Sequence, residues 1–313
     1  MTLKQTLEVF EALDSARASG QTVVQLLAPY PGAGVSVEEV RSEKGKTDFV
    51  KVVIAGTHGR LRSGNARTLG IIGRLGGLGA RPKRIGLVSD GDGAVAAVAI
   101  ALKIARMQAQ GDPLPGDVIV ATHICPDAPT RPHHPVEFMD SPVSVEEMNA
   151  REVFPDMDAV LSIDTTKGNR ILNHRGFAIS PTVKQGYILR VADDLVRIME
   201  TTTGRPAVTF PITMQDITPY GNGIYHINSI LQPSVATDAP VVGVAISAET
   251  IVPGSATGAS QEIDIAAVVK FTVEVAKEFG RGSAQFYDAH EFARLNQLYG
   301  SMRRLQARPA AGE

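Results

Sequence analysis

The sequence predicts an α/β protein with a mixed, mostly parallel sheet and helices on both of its faces. Three observations carry this. Short β-branched apolar runs recur along the chain, helical stretches stand between and after them, and the runs end in polar residues. A chain of 313 residues with 43% hydrophobic content buries a large core, enough for one domain with a modest appendage.

The elements follow in order. Leu3 to Arg17 reads as an amphipathic opening helix with Leu7, Phe10 and Leu13 on its apolar face. The run KVVIAGTH, Lys51 to His58, has the pattern of a buried strand opening into a functional loop. RIGLVSDGDG repeats that pattern and ends on Asp90 and Asp92. Ala94 to Gln110 is Ala-rich with no internal Gly or Pro, and Gly111 and Pro113 close it as a helix. DVIVATHIC then supplies the next strand, so a strand, helix and strand lie between Arg84 and Cys125 and form a right-handed parallel unit. AVLSIDTT and APVVGVAISA are further strands, and EIDIAAVVKFTVEVAKEF is a long helix. Residues 1–280 are expected to form a single α/β domain carrying a Pro-rich loop at 126–155, a candidate lid or oligomer contact, and residues 281–313 a helical extension and tail.

In sheets of this kind ligands bind outside the carboxyl ends of the strands. Polar candidates stand at four such ends: His58, Asp90 or Asp92, His123 with Asp127, and Asp164. They are the residue types a hydrolytic metal site needs, each able to ligate an ion or take a proton. Each also has a plainer role. Asp92 suits a helix cap, Asp164 an Asx-turn, and His123 and Cys125 a buried core pair. His174 and His290 are assigned no function, and the basic cluster Arg81, Lys83 and Arg84 reads as a solvated edge.

Other classes are disfavoured. A net charge of -2, from 31 basic and 33 acidic side chains, gives no field for nucleic acid or an anionic membrane, and 5% aromatic content gives no stacking platform. A small molecule or short peptide is the expected substrate. The first residues lack the apolar run of a signal peptide, no stretch reads as a membrane span, and the lone Cys125 suits a reducing compartment, so a cytoplasmic protein is expected. The stretch GIIGRLGGLGARPKR does not open a helix directly after a strand, so the dinucleotide fingerprint fails.

SDGDGAVAAVAIALKIARMQAQGDPLPGDVIVATHICPD resembles the core of the co-catalytic zinc peptidases, the deblocking aminopeptidase and carboxypeptidase/deacetylase groups. There an aspartate turn, an Ala-rich helix and a strand ending in Glu-Glu follow one another. MDAVLSIDTTKGNR is similar to the strand whose Asp binds the second ion, and TDAPVVGVAISAETIVPGSATGASQEIDIAAVVKFTVEVA to the closing strand, loop and helix. The whole sequence more closely resembles the family catalogued as domain of unknown function 1177, which implies no activity. The wider resemblance implies a zinc-peptidase-like fold and zinc or another divalent transition metal, one or two ions. Its ligands would come from His58, Asp92, Asp164, Asp90, His123 and His134. The pattern is broken at three places: His58-Gly59-Arg60 lacks the family's orienting Asp, Cys125-Pro126 replaces Glu-Glu, and no histidine stands in 249–254. Three arrangements follow: ligands moved to residues such as His133, His134 or His226, one ion retained on His58, Asp92 and Asp164, or no metal site.

The leading expectation is a metal-dependent hydrolase of a small peptide, amide or acylated amino acid, with Asp127 or His123 taking the proton. The alternatives are a non-hydrolytic ligand-binding or assembly protein on the same fold, and a metal-free lyase or isomerase using Cys125 and His123. A homo-oligomer is expected from the surface of the Pro-rich segment and the last helix.

Overall fold

A computed structural model of the chain describes residues 2–214, 217 and 224–306. The tail RPAAGE lies outside these residues. Helices α1 (Leu3–Leu13) and α2 (Gly20–Leu27) precede a hairpin of β1 (Ala33–Ser42) and β2 (Gly45–Ile54). Strand β3 (Leu69–Gly73), helix α3 (Asp92–Ala109) and strand β4 (Val118–Ile124) follow. A small hairpin, β5 (Thr130–Arg131) with β6 (Phe138–Met139), and helix α4 (Val145–Glu152) lie before β7 (Ala159–Thr165). Then come β8 (Gly176–Ile179), β9 (Val183–Lys184), β10 (Tyr187–Ile188), α5 (Asp193–Thr203), β11 (Val241–Ser247), α6 (Glu262–Arg281) and α7 (Ala289–Tyr299).

One nine-stranded sheet runs in the order β1, β2, β4, β3, β7, β11, β9, β10, with β8 also paired to β11. The four central strands β4, β3, β7 and β11 are parallel, and the flanks are antiparallel. The strands alternate their side chains between two cores. Ile71, Val120, Leu161, Ile163 and Val244 meet α3 and α6, while Ile72, Ile119, Val160 and Ala245 meet Phe210, Ile230 and Leu231 beneath a short 3-10 segment, Ser229–Val235. Helix α4 packs against β2, β4 and that segment, so both faces are covered. Among the described residues no helix is long and apolar enough to cross a membrane.

The sequence misplaces one strand. Residues 84–88 form no strand, and Ser89–Gly91 is a 3-10 turn leading into α3. The first parallel strand is instead LGIIG, inside the Gly-rich stretch. Its glycines admit close neighbours: a Cβ on Gly70 would lie 2.4 Å from the Met157 sulfur, and one on Gly73 would lie 2.4 Å from the Gly93 carbonyl oxygen. In α1 the buried face is Thr6, Val9 and Leu13, and Leu7 is exposed. The basic cluster is an edge of paired charges, with Arg81 on Asp14 and with Lys83 and Arg84 on Glu137.

Candidate active site

Three parallel strands deliver buried polar residues to one end of the sheet. β3 is followed by Arg74, β4 carries His123 and is followed by Cys125, and β7 carries Asp164 as its penultimate residue. Helix α3 approaches the same end because Gly93 has no side chain. A Cβ there would stand 1.8 Å from the Arg74 carbonyl oxygen and 2.7 Å from that of Ile163. That contact sets Asp90 and Asp92, at the start of α3, beside the ends of β3 and β7.

A cavity of about 1320 Å³ opens over this end, with Asp90, Asp164, His123, Cys125 and Lys167 among its lining residues. Its walls come from β6, α4, the turn between β1 and β2, and residues 251–255. The Pro-rich segment thus roofs the site. Ties of Asp140 to Lys44 and Arg131, and of the Met139 N–H to the Ser255 hydroxyl, hold it there.

Under the cavity lies a buried, charge-paired network. Arg74 donates to Glu152 at 2.5 Å and to Gln232 at 2.5 Å, and all three are buried. Glu152 also faces His123 Nδ1 at 2.7 Å, while the Gly76 N–H donates to His123 Nε2 at 3.0 Å. The second bond requires Nε2 to be an acceptor, so the ring proton sits on Nδ1 and is donated to Glu152. Burial would raise the Glu152 carboxyl, but Arg74 and His123 hold it below the ordinary range.

Beside this network stand two carboxyl groups of a different kind. Burial pushes Asp164 from an ordinary 3.8 up to about 7, against the opposing Thr165 N–H bond and the Arg74 charge. Asp90 is pushed well above its ordinary value by burial first and then by the charges of Asp164 and Asp92. No described residue donates a hydrogen bond to the Asp90 side chain. Asp92 does not line the cavity; it is sealed behind it, 2.6 Å from the Lys167 ammonium and accepting from Ser260 at 2.5 Å. Burial raises its proton affinity and Lys167 and Ser260 oppose the rise.

The other candidates do not join this cluster. His58 lies at the opposite end of the strands and is exposed, its Nδ1 2.9 Å from the Thr57 hydroxyl. The reason is strand direction: β2 runs antiparallel to β4, with Ile54 opposite Val118, so its carboxyl end meets the amino ends of the parallel strands. His123 has both ring nitrogens hydrogen-bonded within the protein. Cys125 is buried, its thiol pushed up to about 12 chiefly by burial, and it donates to the Lys46 carbonyl at 3.2 Å. That is the state of an inert core thiol rather than of a nucleophile. Asp127 is exposed and absent from the cavity lining. His134 is exposed at the rim, and its neighbour His133 stacks on Phe138 at 3.8 Å.

These positions test the zinc site that the resemblance implies. A hydrolytic ion takes three protein donors and leaves one position for water. Asp90 and Asp164 are the two uncommitted donors, since Asp92 is paired with Lys167 and His123 is bonded on both sides. Among the described residues no three His, Cys, Asp or Glu side chains are grouped so as to hold an ion. The residues present do not fit that site.

Sequence reasoning missed Arg74, Glu152, Gln232 and Lys167. Only Lys167 carried a signal, since it stands three residues beyond Asp164 in SIDTTKG.

The fold is that of an α/β protein with a mixed, mostly parallel sheet covered by helices. A solved structure of a point mutant of tomato leucine aminopeptidase is similar in fold, with a TM-score of 0.53 and 10% identity over 87% of this chain. This chain spans 61% of that protein's length. The chain belongs to the family described as protein of unknown function DUF1177, whose model matches residues 38–309. No curated protein matches the sequence.

Proposed function

We propose that the chain is a hydrolase of amide bonds in small peptides or acylated amino acids, working by acid–base chemistry between Asp90 and Asp164. One observation carries the reading: two buried carboxyl groups, each with its proton affinity raised chiefly by burial, line a single cavity. Such a pair divides the labour of hydrolysis, the ionised member acting as base and the protonated member as acid. Asp164 accepts a proton from water as the water oxygen attacks the carbonyl carbon. Asp90 gives its proton to the carbonyl oxygen. Collapse of the tetrahedral adduct breaks the C–N bond, the nitrogen takes the proton held by Asp164, and Asp90 recovers its own. The likeness to a leucine aminopeptidase makes the amide bond the first to try.

The test is amine release from a panel of dipeptides and N-acyl amino acids by wild type, Asp164→Asn and Asp90→Asn. Loss of either carboxyl is expected to lower the rate by about two to four orders of magnitude. Activity should rise through about pH 7 as Asp164 ionises. Full activity in both variants overturns the reading. Binding without turnover by wild type would support the other reading of the fold, a ligand-binding protein.

A further inference from the structure

We propose that the acyl part of the substrate is a long apolar chain, which runs from the two aspartates to the mouth of the cavity. The bond to be cleaved rests on the hydrolase reading; the chain is tested by binding and fails or stands separately. Size is the first reason. The cavity holds about 1320 Å³. Pockets of roughly 300 to 1,000 Å³ suffice for a drug-sized ligand, so an N-acetyl amino acid leaves much of this one to water.

Apolar lining begins beside the reacting pair. Leu75 directly follows Arg74 at the end of β3 and packs against the cluster of Phe49, Val143 and Met148; Leu75, Val143 and Met148 all line the cavity. Met139 reaches the same place from the roof. The spot a Cβ on Gly77 would occupy is 3.4 Å from the Asp90 Oδ2 and 3.2 Å from the Met139 Cε, so the thioether borders the carboxyl group. An unbranched thioether side chain adapts its shape to what lies against it.

The lining continues outward to the rim. Phe138, Tyr225 and Ile251 line the cavity and are 45%, 43% and 65% exposed. They come from three separate segments: the roof strand β6, the residues before the 3-10 segment, and the loop after β11. Single exposed apolar side chains are ordinary, whereas several gathered around one opening mark a binding groove.

The chemistry of the wall favours a hydrocarbon chain over a peptide. A peptide brings an N–H and a carbonyl with every residue, and each needs a partner once it leaves water. The side chains of Leu75, Val143, Met148 and Met139 offer no strong donor or acceptor, and a polymethylene chain needs none. Charge in the roof is compensated as well: Lys44 and Arg131 are both paired with Asp140, at 3.2 and 2.6 Å.

The experiment is calorimetric titration of N-acetyl-, N-octanoyl- and N-dodecanoyl-leucine, each below its micelle concentration, into the full chain. Wild type and Asp164→Asn are both titrated, since the variant leaves the ligand intact under the hydrolase reading. Affinity is expected to rise about a hundredfold or more from acetyl to octanoyl, because burying one methylene multiplies it by up to about fourfold. Ile251→Glu and Phe138→Glu change exposed side chains at the mouth, and each should cut that ratio by about tenfold; a thermal melt checks that both are folded. Equal affinity for the three ligands, no binding of any of them, or a ratio untouched in both folded variants overturns the chain. Chain-length dependence with no hydrolysis of any ligand supports the chain and overturns the hydrolase reading, whereas hydrolysis of N-acetyl-leucine with no gain from a longer acyl group overturns the chain alone.

Discussion

Asp164 links the site to the stability of the whole chain. It lies 4% exposed at the end of β7, and burial raises it from 3.8 to about 7. The folded protein therefore holds this proton more tightly than the unfolded one. The stability so gained is complete below about pH 4 and is lost as pH rises through about 7. At about 1.4 kcal/mol per pH unit, a difference of this size is worth roughly 4 kcal/mol between the two ends of the window. Asn is neutral throughout, so Asp164→Asn escapes the loss. Urea unfolding of both proteins at about pH 4 and about pH 8 reads the effect. The variant should be close to wild type in acid and more stable by roughly 2 to 4 kcal/mol in base, while its catalysis falls. Taking the difference between the two proteins removes the other titrating groups from the comparison. A constant difference across the window would refute both the assigned proton affinity and the role of Asp164 as base.

Three further outcomes follow from the same geometry. Glu152→Gln leaves the buried Arg74 guanidinium without its counter-charge and should cost about 3 to 5 kcal/mol in urea unfolding; a cost below about 1 kcal/mol would show that the network is not held as described. Cys125 should resist a small alkylating agent at mildly basic pH until denaturant is added, because its thiol is buried and pushed up to about 12; labelling of the native protein at the rate of a free thiol would contradict its placement. Dialysis against EDTA should change neither the melting temperature nor amide hydrolysis, and a loss restored by zinc would overturn the argument from the donor set.

The fold was legible in its buried, β-branched central strands, though not in β1, whose Val35, Val37 and Val40 went unread. Val118–Ile124, Ala159–Thr165 and Val241–Ser247 announce themselves as short apolar runs, and the Ala-rich α3 and the long α6 are uninterrupted helical patterns. β3 was not legible, because its glycines are selected for what they admit, Met157 against Gly70 and the α3 backbone against Gly73, and not for strand propensity. The apolar IGLV at 85–88 then took its place in the pattern, though Ile85 is almost wholly exposed.

Strand direction decided what of the site could be read. A strand's end is visible in sequence; which end of the sheet it reaches is not. Asp90 and Asp164 lie where a parallel strand–helix–strand arrangement delivers them, whereas His58 follows a strand with the same apolar pattern that runs the other way through its pairing with β1 and β4. Partnership was equally hidden. His123 has the residue type of a ligand, yet its bonds to Glu152 and to Gly76 come from α4 and from the loop after β3, segments distant in the chain. The same contacts join His123 to Arg74, Glu152 and Gln232 in a buried, charge-paired network. Asp90 and Asp164 remain as the groups in that end of the sheet whose protons are still available to a substrate. Under the proposed function the acid–base capacity rests on these two buried aspartates.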